Sequence, residues 1–87
     1  MKLKYKFEIN EVADSYVGVT VEESATQYSN ILFLNSTGKF IMENLKEEIS
    51  MDELVYRVCQ HYEGDVGAIK SEVHKFICKL TELNLLS

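Results

Sequence analysis

No proline occurs among the 87 residues, and there are only four glycines and two cysteines. Without proline, no proline-rich linker divides the chain, and the joints must be made by Gly, Asn, Ser and Asp. Cys59 and Cys78 form no C-x-x-C, and one pair cannot supply the disulfide framework of a small secreted domain. Each is expected to be a small buried hydrophobe in a reducing compartment. Long apolar runs are missing as well. Nothing approaches the roughly 18 apolar residues of a membrane span, and the opening Met1-Lys2-Leu3-Lys4-Tyr5-Lys6-Phe7 lacks an apolar signal core. A cytoplasmic protein with no membrane partner is the expectation. Basic charge is also scarce: nine Lys and Arg face fourteen Asp and Glu, for a net charge of −5. This balance opposes the counterion-release attraction behind nucleic-acid binding, so no nucleic-acid partner is expected.

The motifs of common chemistries are absent too. There is no G-x-x-x-x-G-K-[ST], G-x-G-x-x-G, H-E-x-x-H or G-x-S-x-G, so nucleotide-binding, metalloprotease and hydrolase readings lack their parts. Cys59 and His61 stand two apart on a helical segment, pointing about 200° away from one another. A zinc site from Cys59, His61, His74 and Cys78 would need the second and third helices to pack in register so that four ligands converge. The expectation is surface histidines and no metal. The acidic pairs Glu22-Glu23, Glu47-Glu48 and Asp52-Glu53 fall in turns or helix starts, where solvation and capping explain them. Neither catalytic residues nor a cofactor is indicated. Lys2, Lys4 and Lys6 form a small cluster that would mark a charged sheet edge or face.

With 46% hydrophobic and 26% charged residues, the chain reads as one folded domain over residues 1–87. Its apolar pattern changes period halfway. Tyr5, Phe7 and Ile9, then Val17, Val19 and Val21, then Ile31 to Leu34 alternate with period two and predict three short strands in a meander. The polar breaks are Asn10 to Ser15 and Glu22 to Gln27, and the third strand is expected from near Tyr28 to Asn35. Beyond that, Asn35 or Ser36 can cap a first helix with a stripe of Phe40, Ile41, Leu45 and Ile49. Ser50-Met51-Asp52-Glu53 matches the S-x-x-E capping box, opening a second helix that ends at Glu63-Gly64, with Gly64 suited to a left-handed residue. A third helix, from within Asp65–Ala68 to about Leu83, carries the stripe Ile69, Val73, Phe76, Ile77, Leu80 and Leu83. The fold class is therefore α+β: a three-stranded antiparallel sheet followed by three helices of helix-turn-helix character.

One segment departs from the pattern of a half-exposed strand. Ile31, Leu32, Phe33 and Leu34 are apolar on both sides, and helices can cover only one of them. As the last strand of a meander it also has a free edge, able to pair with an extended peptide.

The run Ile31-Leu32-Phe33-Leu34-Asn35-Ser36-Thr37-Gly38-Lys39-Phe40-Ile41-Met42-Glu43-Asn44-Leu45 resembles the strand, Leu-Asn-x-Thr-Gly/Ala and short apolar helix of the PqqD family. So do the helix start Ser50-Met51-Asp52-Glu53-Leu54, the turn Tyr62-Glu63-Gly64-Asp65 and the ending Val73 to Leu86, with Asn84 where the family often has Gly. Asn tolerates the left-handed conformation, so that C-cap role survives. The resemblance implies a winged helix-turn-helix-like recognition element for ribosomally synthesised, post-translationally modified peptides (RiPPs). It implies a non-catalytic domain that binds the leader of a precursor peptide as an added strand and presents it to a modifying enzyme, often a radical S-adenosylmethionine (SAM) protein. The family's named role is in pyrroloquinoline quinone biosynthesis. On this reading the peptide lies along Tyr28, Ser29, Asn30, Ile31, Leu32, Phe33 and Leu34, pairing with Ser29, Ile31 and Phe33 or with the alternate set Asn30, Leu32 and Leu34. Ile69, Lys70, Val73, His74 and Ile77 form the groove side of the third helix, the other flank, with Glu72 and Lys79, being the alternative. Rival readings are a winged-helix DNA binder, which clustered Lys/Arg would have to support, and a homodimer paired through the same edge.

Overall fold

Alternation of apolar and polar side chains produces three strands, β1 (Lys6–Val12), β2 (Ser15–Val21) and β3 (Ile31–Leu34), in an antiparallel sheet of order β1-β2-β3. The computed structural model describes residues 1–21 and 31–87. The expected break at Glu22–Gln27 and the expected strand start at Tyr28, Ser29 and Asn30 lie outside the described residues. The register pairs Ile9 with Gly18 and Gly18 with Leu32, and it pairs Tyr16 with Leu34, so these side chains share the face turned to the helices. The first hairpin is tighter than its polar composition suggests. Asn10, Glu11, Val12 and Ser15 all belong to the ladder, leaving a two-residue turn in which Ala13 takes φ +56°. Pairing with β2 overrides the low strand preference of these polar residues.

Three helices follow: α1 (Ser36–Asn44), α2 (Met51–His61) and α3 (Val66–Glu82). Each starts on a side-chain cap. Asn35 accepts from the Gly38 amide at 2.8 Å, Ser50 from Glu53 at 3.1 Å and Asp65 from Ala68 at 2.9 Å. In the expected capping box only the Ser50 half forms, because the Glu53 carboxylate turns to the Arg57 guanidinium at 3.7 Å. Ile49 is buried as its spacing requires, but it lies beyond α1, in the connection to α2. Helix α2 stops at Tyr62, whose backbone is extended, and Gly64 has φ +150°. Gly64 thus takes the positive φ for which glycine is suited, but two residues beyond the extended cap at Tyr62 rather than at the cap itself. At the end of α3, Asn84 takes φ +58° while Asn84 N–H donates to the Thr81 carbonyl and Leu85 N–H to the Leu80 carbonyl, each at 3.0 Å. These are the two bonds of a Schellman motif, and its partner side chains Leu80 and Leu85 are both buried.

The core gathers Leu32 and Leu34 from the sheet, Ile41 and Met42 from α1, Leu54 and Val58 from α2, and Val73, Ile77 and Leu80 from α3. Leu3, ahead of β1, joins it and bridges to Leu86. Leu3 N–H donates to the Leu45 carbonyl at 3.0 Å and Lys4 N–H to the Leu85 carbonyl at 2.9 Å. The segment before β1 is thereby tied to both the α1–α2 connection and the carboxyl end. The Met1 amino group pairs with the Glu48 carboxylate and holds its pKa below the ordinary value. The cysteines depart from expectation: Cys59 is half-buried and Cys78 exposed, each lying off the buried stripe of its helix. No helix among the described residues is long and apolar enough to cross a membrane.

Candidate functional site

The doubly apolar strand divides cleanly between two environments. Leu32 and Leu34 are buried, whereas Ile31 and Phe33 are 59% and 76% exposed on the other face. The register sets Ile31 beside Val19 and Phe33 beside Val17, both half-buried, so the outer face of the sheet carries an apolar strip at its β3 side. Glu8 and Asn10 follow on β1 and turn that face polar toward the opposite edge. Among the described residues β3 pairs only with β2, which leaves one row of its amides and carbonyls open to a further strand.

On the helical side, Gly38 lies where β3, α1 and α3 meet. A Cβ at this position would stand 3.2 Å from Cε1 of Phe76 and 3.4 Å from Cδ2 of Leu34, so glycine allows the Phe76 ring to reach the end of the strand. Asn35, Thr37, Glu72, Lys75, Phe76 and Lys79 line a cavity of about 250 Å³ there. A neighbouring cavity of about 350 Å³ continues past Thr37, Ala68, Ile69 and Glu72.

This geometry sorts the residues expected on the groove side of α3. Val73 and Ile77, expected to face a groove, are core residues at 0% and 6% exposure: the centre of the apolar stripe is consumed by packing. Ile69 is half-buried and lines the second cavity. Lys70 and His74 are exposed but line neither cavity, whereas the alternative flank, with Glu72 and Lys79, does. Phe76 is the residue that sequence reasoning did not single out. It belongs to the same apolar stripe as Val73, and only its place at the stripe's margin, toward Glu72 and Lys79, marks it as half-accessible.

Among the described residues no three His, Cys, Asp or Glu side chains group as a metal would require. His61 is exposed and stacks on Phe40 with ring centroids 4.2 Å apart. The chemistry available is backbone pairing, apolar contact and a mixed-charge rim.

The model of the family described as Coenzyme PQQ synthesis protein D (PqqD) matches residues 19–86. A solved structure described as TbiB1 in complex with the TbiA(beta) leader peptide is similar in fold, with a TM-score of 0.71 at 21% identity, covering 100% of this chain and 95% of that one. Comparison with curated proteins finds no match.

Proposed function

The chain belongs to the PqqD family, and from that premise we propose that it binds the leader segment of a ribosomally synthesised precursor peptide and presents it to a separate modifying enzyme. The observation that carries this reading is the β3 edge: an open row of backbone groups flanked by the exposed Ile31 and Phe33. A peptide added there would lie about 4.8 Å from β3 and send alternate side chains to opposite faces. One set would rest beside Ile31 and Phe33, and the other would turn toward Phe76 and the cavity at Thr37. The structure of TbiB1 in complex with a leader peptide, similar in fold to this chain, supports a leader peptide as the ligand.

The domain itself performs no chemistry on this reading. The enzyme that receives the peptide would be of the radical SAM type implied by the resemblance, working in the cytoplasm. Titrating isotopically labelled protein with a leader peptide tests the proposal. Amide shifts are expected along Ile31–Leu34 and along the Glu72–Lys79 side of α3. Saturable shifts confined to other regions would overturn it. Because the same edge could pair with a second copy, sedimentation at several concentrations belongs to the experiment: a dimer that leader peptide does not dissociate would assign the edge to self-association instead.

A further inference from the structure

The largest share of positive charge in this acidic chain lies on the opposite edge of the sheet. A cavity of about 480 Å³ is bordered by the segment before β1, by β1 itself and by the end of α1. Lys2, Lys4, Lys6 and Lys46 line it, and no acidic residue does. Four of the nine basic residues thus converge on one pocket, leaving five against fourteen acidic residues elsewhere. The remaining lining is apolar, with Leu3 and Met42 buried at 8% and 1% and Phe7 and Ile9 half-buried. Among the described residues none of the four lysines forms an ion pair.

The pocket wall is held in place by the backbone. Ser87 N–H donates to the Lys2 carbonyl at 2.8 Å, and the Lys4 amide is bonded to Leu85. The Lys4 ammonium donates to Asn84 Oδ1 at 2.7 Å. Alongside runs the outer edge of β1, which among the described residues pairs only with β2. Two copies meeting through this pocket would set four lysines against four, so the same face of a second copy is a poor occupant. A nucleic acid suits the charges but not the apolar floor, and the acidic remainder of the molecule repels it.

We propose that this pocket is a second docking surface, which takes an acidic segment of a partner protein, its carboxylates meeting the four lysines and an apolar side chain entering between Phe7 and Met42. The assignment rests on charge complementarity and does not depend on the leader-binding reading. The two surfaces lie on opposite edge strands, so both can be occupied at once.

The test uses the full chain and a ten-residue Asp- and Glu-rich peptide with a central Phe, followed by amide shifts and calorimetry. Saturable binding is expected, with shifts at Lys2–Ile9, Met42 and Lys46, and an affinity that falls several-fold or more as salt screens the contacts. The triple variant Lys2→Glu, Lys6→Glu, Lys46→Glu should weaken it at least about tenfold, since like charges then face each other. The milder Lys6→Gln, Lys46→Gln variant should fall between, guarding against a folding defect. Leader binding at β3 should be unchanged in both. Absence of saturable binding, equal binding of a Lys-for-Glu peptide or of a ten-nucleotide single strand, or indifference to the triple substitution would overturn the proposal.

Discussion

Phe33 is 76% exposed, more than any other large apolar side chain among the described residues, and it makes little contribution to the core. On the proposed function, a side chain in that position serves peptide binding rather than folding. Phe33→Ser is therefore expected to leave the unfolding free energy from urea denaturation within about 0.5 kcal/mol of the parent, while weakening leader binding about tenfold, as loss of an aromatic anchor does. Calorimetry and denaturation on the same sample check the two halves together. Ala13 gives the reverse case, a residue whose conformation rather than its contacts sets the expectation. Its φ of +56° places an L side chain in the left-handed region, at the hairpin turn. Ala13→Gly should stabilise the domain by about 0.5 to 1 kcal/mol, read as a higher urea midpoint at unchanged slope. A lower midpoint would mean that the gain in unfolded-chain entropy outweighs the relieved strain.

At the scale of the element, the caps decide where the helices begin and end. Asn84 at φ +58° closes α3 and frees Leu85 to reach the core, so Asn84→Ala is expected to cost about 1 kcal/mol and Asn84→Gly almost nothing. Thermal unfolding of the two variants distinguishes backbone strain from loss of the Lys4 hydrogen bond, because Gly loses the bond but not the conformation. Element identity was legible because a period of two in Phe7, Ile9, Val17 and Val19 gives way to helical spacing after Asn35, and because Asn35, Ser50 and Asp65 are capping residues. The exposed apolar face of β3 was legible for a related reason, four apolar residues in a strand that one layer of helices cannot cover, and its free edge from its place as the last strand of a meander. What stayed hidden depends on neighbours remote in sequence. Asn10 and Glu11 read as a loop and became strand because β2 pairs with them. The helical wheel of α3 offers two equivalent flanks about the Val73–Ile77 stripe, and only the packing of α1 at Gly38 against Phe76 distinguishes them. Burial of Leu3 by the carboxyl end likewise has no local signal.

At the scale of the whole molecule, a net charge of −5 conceals an uneven distribution, with exposed apolar side chains at β3 and four lysines around the pocket beside β1. Leu3 offers a way to separate them, since it anchors the segment that carries Lys2 and Lys4 and touches neither β3 nor α3 through the backbone. Truncating this buried side chain should cost about 2 to 3 kcal/mol, a large part of the roughly 4 to 13 kcal/mol that a domain of this size has to lose. The thermal midpoint of Leu3→Ala is then expected to fall by about 10 °C or more. Well below that midpoint the protein remains folded, and the two edges should respond differently. Leader binding at β3 is expected within about twofold of the parent, because the register with β2 that presents Ile31 and Phe33 does not involve Leu3. Binding of the acidic peptide should weaken by more, because the loosened segment must be ordered again on docking. Equal losses at both edges would show that the sheet transmits the defect as one unit, and the two surfaces would then have to be treated as coupled rather than independent.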